Sequence, residues 1–334
     1  MTYPIAVAIR GCGQYRPAFA QPSSALDAVY GQADGWTEEQ FAIASRRIAD
    51  RDETTSRMAA RACEAALAEA GWAAGDIDVL VGACGVMEQP IPGTSVLIQH
   101  ELGLTRSGIP CFDVNMTCLS FLNALDLVSM AMKAGRFRRA LIASSDIASA
   151  GLDYAHPRAS AIFGDGAAAI CLEAHDDADG PAVLATVFKT FSSGKDTAHL
   201  RAGGTKIRVE DGFDAIADGA KFHMDPFAIF KAAARHLPGV IDTALAGAGV
   251  AMSDIDAFIG HQASAPGLQY MRHLVGERTE RVVDIFADYG NQIAASLPNA
   301  LYAARQDGRL GAGRHAMLLG TSAGISLGAM VIRT

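Results

Sequence analysis

Two stretches of this chain repeat each other: "ALAEAGWAAGDIDVLVG" at 66–82 and "ALAGAGVAMSDIDAFIG" at 244–260 agree at ten of seventeen positions. Each stretch is typical of the end of an Ala-rich helix, a glycine turn and a short apolar strand. The match continues downstream, where "NMTCLSFLNAL" at 115–125 corresponds to "NQIAASLPNAL" at 291–301. The sequence therefore predicts an α/β protein made of two copies of one unit.

The polar stretch "EAHDDADGPA" at 173–182 separates two strand-like runs, so we expect the boundary between the copies there. It divides the chain into an N-terminal half, residues 1–176, and a C-terminal half, residues 177–334. Because strands alternate with long helices, we expect largely parallel sheets with helices on their faces. Duplicated α/β halves commonly form an active site where they meet, which directs attention to the loops after the repeated strands.

Composition excludes several classes of protein. The net charge is −8 and no cluster of Lys and Arg dominates, which argues against a nucleic-acid partner. The N-terminus lacks the pattern of a signal peptide, and no apolar run reaches the roughly 18 residues of a membrane span. We therefore expect a soluble cytoplasmic protein without membrane contact. The six cysteines show no CxxC pair and no zinc-type spacing, so we expect no metal site.

Three polar residues lie at repeated positions of the predicted scaffold. His261 directly follows the second repeated strand, where the first copy has Ala83. Cys118 and Asn291 lie at the starts of two corresponding helices. Each alone has an ordinary structural explanation, since lone histidines are usually structural, Asn is a good N-cap and free cysteines are usually core residues.

The combination of the three residues favours a catalytic role over a structural one. A thiol at a helix N-terminus feels the positive end of the helix dipole, so we expect a lowered pKa and a nucleophilic thiolate at Cys118. A cysteine from one half with a His and an Asn from the other suits acyl transfer. The thiolate would take an acyl group as a thioester, and two hydrogen-bond donors would hold a developing oxyanion.

Over nearly its whole length the sequence resembles the β-ketoacyl-ACP synthase III family, the initiating condensing enzymes of the thiolase-like superfamily. The motifs that carry the resemblance are "DVNMTCLSFLNAL" around Cys118, "IFGDGAAAICLE" at 162–173, "GHQAS" with His261, "DYGNQIAASLPNAL" with Asn291, and a closing "GTSAGISLGAMVIR". The resemblance implies a thiolase-like fold with duplicated α/β halves in a five-layered αβαβα sandwich. It also implies a homodimer and a catalytic triad of Cys118, His261 and Asn291.

The resemblance further implies a mechanism without a cofactor. An acyl-CoA or acyl carrier would load Cys118, and the backbone N–H groups of Cys118 and Ala323 would form the oxyanion hole. His261 and Asn291 would then bind a malonyl-ACP thioester, whose decarboxylation gives the enolate that attacks the acyl-enzyme. An acyl carrier protein is the implied partner, and fatty-acid biosynthesis the implied setting. Thiolases are disfavoured because no cysteine follows Cys171, and elongating synthases because they have a second His where Asn291 stands.

Four positions depart from the family pattern. Ser264 replaces the Asn of "HQAN", and Ser322 stands where the family usually has Gly. Trp36 matches a Trp that contacts the adenine of CoA, but Gln40 replaces the Arg four residues later. Ile91 occupies the place of a large residue that often reaches across the dimer. It either admits a longer acyl chain or simply packs the interface.

These departures leave alternatives to a decarboxylating Claisen condensation. An acyltransferase could pass the acyl group from Cys118 to an amine or hydroxyl, with His261 as general base, which Ser264 and Gln40 motivate. A branch that condenses two fatty acyl chains without decarboxylation uses a glutamate base from the loop that holds Glu88, although at a different position. A non-catalytic partner subunit is a third alternative, against which the intact triad counts.

Overall fold

The computed structural model describes residues 3–334, which form thirteen strands and eleven α-helices. The strands are β1 (Ile5–Tyr15), β2 (Phe19–Pro22), β3 (Ser45–Ile48), β4 (Val79–Gly82), β5 (Cys111–Asp113), β6 (Arg139–Asp146), β7 (Gly166–Ala174), β8 (Ala182–Gly194), β9 (Ala198–His199), β10 (His223–Met224), β11 (Ala257–Gly260), β12 (His315–Ser322) and β13 (Gly324–Arg333). The helices are α1 (Ser23–Tyr30), α2 (Trp36–Phe41), α3 (Thr55–Ala70), α4 (Thr94–Glu101), α5 (Ser120–Lys133), α6 (Pro157–Ser160), α7 (Phe213–Gly219), α8 (Pro226–Ala248), α9 (Ala265–Val275), α10 (Phe286–Tyr289) and α11 (Ser296–Gln306).

Nine strands follow one another in the order β11-β12-β13-β8-β1-β7-β6-β4-β5. The contact between β8 and β1 is short, since only Ile5 and Ala6 pair with Val183 and Ala182. The order therefore divides into two sheets, β5-β4-β6-β7-β1 and β11-β12-β13-β8. The predicted boundary at 176/177 falls in the turn between β7 and β8.

The sheets are less parallel than the sequence predicted. Parallel pairing is confined to β4 with β5 and β6, and to β11 with β12, whereas β7, β1, β13 and β8 pair antiparallel. The reason is that a parallel pair needs a long crossover connection. Between β12 and β13 only one residue intervenes, and no long helix separates β6 from β7. The prediction of largely parallel sheets was wrong for these strands.

Helices fill three layers around the two sheets. Leu122 and Leu125 of α5 and Leu297 and Leu301 of α11 belong to one buried cluster with residues of both sheets, so these two helices form the central layer. Helices α3 and α4 pack on the outer face of the first sheet, and α8 and α9 on that of the second. The five-layered αβαβα sandwich is thereby confirmed, with the repeat visible as the series α3-β4-α5-β6 and α8-β11-α11-β12.

This arrangement brings the ends of β4, β6, β11 and β12 and the starts of α5 and α11 towards the same place between the halves. Turns and short helices of 147–165 and 195–226 close over it. Among residues 3–334, no helix combines the length and the apolar character that crossing a bilayer requires.

Candidate active site

A cavity of about 720 Å³ lies between the two halves and contains Cys118, His261 and Asn291 in its wall. The structure therefore brings together the three residues that the sequence singled out. Most of the remaining wall is apolar and comes from both halves, including Val86, Met87, Ile147, Leu152, Leu200, Phe222, Met224, Phe230 and Leu237. A concave, mainly apolar wall with a few polar groups is typical of a ligand site.

Cys118 lies in a 3-10 helical turn, Thr117–Leu119, that leads directly into α5. Thr117 has a φ of 48°, a left-handed conformation that is costly for a β-branched residue and is concentrated at functional sites. Two side chains hold the turn. Asn115 Oδ1 accepts from the N–H of Thr117 at 3.0 Å, and Ser120 Oγ accepts from the N–H of Met116 at 2.9 Å.

The second half repeats this turn at Ile293–Ala295, before α11. Ile293 has a φ of 51°, Asn291 Oδ1 accepts from its N–H at 2.9 Å, and Ser296 Oγ accepts from the N–H of Gln292 at 2.9 Å. Ala294 stands where the first half has Cys118. The repeat thus preserves the backbone geometry of the turn and places the thiol on one side only.

Asn291 is held across the interface between the halves. Its N–H donates to the carbonyl of Ile162 at 2.7 Å, and its carbonyl accepts from the N–H of Gly164 at 3.2 Å. Its side-chain Nδ2 donates to the carbonyl of Ala263 at 3.3 Å, in the segment that follows His261. Asn291 is only 5% exposed, so these contacts fix the amide in the cavity wall.

His261 directly follows β11, as the sequence predicted. Its N–H extends the pairing with β12 by donating to the carbonyl of Leu319 at 2.9 Å. The fully buried Gln262 secures the segment, because its Nε2 donates to the carbonyl of Gly260 at 2.9 Å and its Oε1 accepts from the N–H of Ile285 at 3.0 Å. The imidazole is 8% exposed, and its Nδ1 has no hydrogen-bond partner among the described residues.

Burial sets the protonation states of the two titratable groups. Removal from water lowers the pKa of His261 to about 4, so the ring is neutral at physiological pH. Burial, and then the nearby charge of Asp146, raise the pKa of Cys118 to about 12. The lowered pKa that the helix N-terminus predicted for Cys118 was therefore wrong, because loss of hydration outweighs the local N–H groups. The resting pair is a thiol and a neutral imidazole.

Several groups counteract this rise in the pKa of Cys118. The backbone N–H of Cys118, the side chain of Ser322 and the backbone N–H of Ala323 each lower the pKa of the thiol. Ala323 is the residue between β12 and β13, in the Gly-rich turn. The backbone N–H of Cys118 also donates to Ser322 Oγ at 3.1 Å.

The predicted substrate-binding residues are only partly at the cavity. Ser264 is in its wall, and its Oγ accepts from the N–H of Gly267 at 3.2 Å, which caps α9. Trp36 and Ile91 are not in the wall. Trp36 packs edge-on against Tyr30 and Phe41, and Ile91 is 86% exposed.

Glu88 is in the wall of the cavity, but its carboxylate has a structural task. Its Oε2 accepts from the N–H of Ser56 at 2.7 Å, in the first turn of α3. A carboxylate at that position stabilises the helix N-terminus. This contact explains the presence of Glu88 by a structural role.

Asp146 supports the site from below the cavity wall, and sequence reasoning missed it. Its Oδ1 accepts from the N–H groups of Gly85 at 2.8 Å and Val86 at 2.7 Å, and its Oδ2 from those of Ala294 and Ala295 at 3.0 and 3.3 Å. It is completely buried, which raises its pKa to about 7 despite these four donors. The available signal was a charged residue at the end of the apolar run "ALIASSD".

Comparison with known proteins points to one family. The family model described as 3-oxoacyl-(acyl-carrier-protein) synthase III matches residues 112–192, and the model of the C-terminal part of the same enzyme matches residues 245–334. The β-ketoacyl-(acyl-carrier-protein) synthase III of Bradyrhizobium diazoefficiens is 32% identical over 97% of this chain and 98% of its own. That of Rhodospirillum centenum is 33% identical over 99% of both.

A solved structure gives the same result. The crystal structure of 3-oxoacyl-(acyl carrier protein) synthase III from Pseudomonas aeruginosa PAO1 has a TM-score of 0.88 and 29% identity over 98% of each chain. Fold and cavity together define a thiolase-like acyltransferase. Within that class, the chain belongs to the β-ketoacyl-ACP synthase III family, and it is a condensing enzyme. The resemblance read from its motifs is confirmed.

Proposed function

We propose that this enzyme carries an acyl group on Cys118 and condenses it with a malonyl thioester to give a β-ketoacyl thioester and CO2. The observation that carries the proposal is the meeting of Cys118 from one half with His261 and Asn291 from the other in one apolar cavity. In this proposal the three residues are the catalytic triad, with the nucleophile in residues 1–176 and the two donors in residues 177–334.

The first step loads the enzyme. The thiol keeps its proton at rest because its pKa is high, and the imidazole is neutral. The proton therefore leaves only as the sulfur attacks the thioester carbonyl of an acyl-CoA, and His261 accepts it in that step as general base. The carbonyl oxygen becomes an oxyanion between the N–H groups of Cys118 and Ala323. Collapse of this intermediate breaks the bond to CoA, whose thiolate takes the proton, and leaves acyl-S-Cys118.

The second step uses the two donors of the C-terminal half. A neutral His261 and Asn291 Nδ2 donate hydrogen bonds to the thioester oxygen of the malonyl group. They stabilise the enolate that forms when CO2 departs. The enolate carbon then attacks the carbonyl of acyl-S-Cys118 and the bond to sulfur breaks. As the β-ketoacyl thioester leaves, the Cys118 thiolate takes up a proton from solvent, because the original thiol proton left with CoA. No cofactor takes part in either step.

Three further residues have proposed roles in binding substrate. Trp36 would contact the adenine of CoA outside the cavity, with weaker binding than in relatives because Gln40 replaces an Arg. Ser264 lies at the cavity wall beside the catalytic segment. Ile91 would reach the acyl cavity of a second copy in a homodimer, for which its 86% exposure leaves it available.

An acyl carrier protein is the proposed carrier of the malonyl group, and fatty-acid biosynthesis in the cytoplasm is the proposed setting. Transfer of the acyl group to an amine or hydroxyl is the alternative, with His261 as general base. Non-decarboxylative condensation receives less support, since the carboxylate of Glu88 caps α3.

The proposal is tested by incubating the purified protein with a panel of acyl-CoAs and malonyl-ACP while CO2 is measured. We expect CO2 release that depends on both substrates and is lost in Asn291→Ala. Absence of CO2 release with every acyl donor would contradict the proposed condensation. Acyl transfer to an added amine or alcohol without CO2 would favour the alternative.

A further inference from the structure

In each half, one strand ends in a polar residue. The side chain of that residue accepts a hydrogen bond from the turn that precedes α5 or α11 in the other half. Strands β6 and β12 correspond in the repeat and end in Asp146 and Ser322. Asp146 accepts from the N–H of Ala294 at 3.0 Å, and Ser322 Oγ accepts from the N–H of Cys118 at 3.1 Å. Ala294 and Cys118 are themselves equivalent positions. The two contacts are therefore the same interaction, repeated with different chemistry.

The contact at Cys118 occupies a group that the proposed function needs. Ser322 is 3% exposed, and its hydroxyl also donates to the carbonyl of Met116 at 2.7 Å, so it is held from both sides. The backbone N–H of Cys118 has a single hydrogen, and Ser322 Oγ takes it. In the proposed function that same N–H is one of the two oxyanion donors.

We propose that Ser322 gates the oxyanion hole: the carbonyl oxygen of a substrate must displace Ser322 Oγ from the Cys118 N–H before the oxyanion is stabilised. This inference rests on the proposed function of Cys118. The gate raises the free-energy barrier to acylation by the net free energy of one hydrogen bond. By the same bond it slows attack of water on acyl-S-Cys118, because that intermediate needs the same donor.

The choice of a hydroxyl fits this role. A carboxylate, as at Asp146, would hold the N–H more strongly and would place a negative charge beside the developing oxyanion. That is acceptable in the second half, where Ala294 replaces the nucleophile. A glycine would leave the N–H free at all times. Serine gives a neutral acceptor that a bound thioester can displace.

The test compares Ser322→Ala and Ser322→Gly with the native enzyme and with Ser144→Ala. Ser144 is a matched control, since its fully buried hydroxyl donates to the carbonyl of Ala83 at 2.7 Å and makes no bond to Cys118. Intact-mass measurements in single turnover give the rate of acyl uptake from acyl-CoA and, without malonyl thioester, the rate of acyl loss. We expect both rates to rise roughly two- to tenfold in both Ser322 variants and to stay unchanged in Ser144→Ala.

A purely structural role of Ser322 predicts that neither variant is acylated faster than the native enzyme. If both Ser322 variants retain the native unfolding transition and acylate no faster than the native enzyme, the gate is wrong. Alkylation by iodoacetamide provides a second readout, because it needs the thiolate but no oxyanion hole. The Ser322 hydroxyl lowers the pKa of Cys118, so its removal should not speed alkylation. An equal rise in alkylation would also overturn the gate.

Failure of the underlying function has a separate signature. If the native enzyme takes up no acyl group on Cys118 from any donor, the proposed function fails, and the gate fails with it. If the native enzyme is acylated but the Ser322 variants are not faster, only the gate fails. Should Ser322→Ala lose its fold through the unpaired carbonyl of Met116, Ser322→Gly decides the same question, because the loss of Cβ leaves more room for a water molecule to donate to that carbonyl.

Discussion

Asp146 Oδ2 accepts a hydrogen bond of 3.0 Å from the backbone N–H of Ala294, across the interface between the two repeated halves. The other oxygen of the same carboxylate accepts from Gly85 and Val86, so one side chain ties the loop after β4 to the turn before α11. Asn291 lies two residues before the start of that turn, Ile293–Ala295. The position of a proposed catalytic residue therefore depends on a carboxylate from the other half.

Replacing Asp146 should destabilise the protein strongly. Asp146→Ala leaves four buried N–H groups without an acceptor, which should lower the free energy of unfolding by at least about 3 kcal/mol. Asp146→Asn keeps one acceptor oxygen and should lose roughly half as much. Chemical denaturation of both variants measures this. Equal stability of native and Ala variants would contradict the structural role of Asp146.

The raised pKa of Asp146 predicts that the free energy of unfolding depends on pH. Its pKa is about 7 in the folded protein and near 3.8 in the unfolded chain, so the folded state binds the proton more tightly. Its contribution to the free energy of unfolding is fully present below pH 4 and is lost as pH rises to about 7, with a slope of up to about 1.4 kcal/mol per pH unit. The difference between native and Asp146→Asn should shrink accordingly. A difference independent of pH between 4 and 8 would contradict this assignment.

His261 should stay neutral through the physiological range. Because its pKa is about 4, CO2 release should not decline through its protonation until the pH falls below about 5. His261→Ala should reduce CO2 release about 100- to 1,000-fold by removing one oxyanion donor. Single-turnover decarboxylation checks both expectations when its pH profile is measured for the native enzyme and its rate is compared between the native enzyme and His261→Ala. A decline with a midpoint near 6.5 would mean that the imidazole is not desolvated.

The thiol of Cys118 should react slowly with a simple alkylating agent. With a pKa of about 12, its thiolate fraction rises tenfold with each pH unit up to that value. The rate of iodoacetamide modification, followed by mass and corrected with Cys118→Ala, should therefore rise steadily from pH 7 to 10. Fast modification that reaches a plateau near pH 7 would show a lowered pKa instead.

Gly290 should be needed to place Asn291. It has a φ of 67°, and a Cβ there would lie 2.5 Å from the carbonyl of Ile162, to which Asn291 bonds. Gly290→Ala should reduce CO2 release more than acylation of Cys118. Gly31→Ala is the control, since Gly31 has a φ of 64° but open space around its Cβ position. If the two variants behave alike, backbone strain alone explains the effect.

The sequence predicted the duplicated sandwich because its repeat preserves turns and strands in matching order. It also predicted that Cys118, His261 and Asn291 would meet, since each is placed by a repeated element. Burial could not be predicted in the same way. The pKa of Cys118 depends on the halves closing over it, and the contacts Asp146–Ala294 and Ser322–Cys118 join residues more than 140 positions apart. The antiparallel pairing of β12 with β13 was missed because it depends on a connection of one residue, which is too short for a parallel crossover.

The claim that Cys118 carries the acyl group is tested most directly by intact-mass measurement of native enzyme and Cys118→Ala after exposure to a panel of acyl-CoAs. The native enzyme should gain the mass of one acyl group per chain, with the adduct on the peptide that contains Cys118, and the variant should gain none. Equal acyl uptake by both proteins would contradict the account.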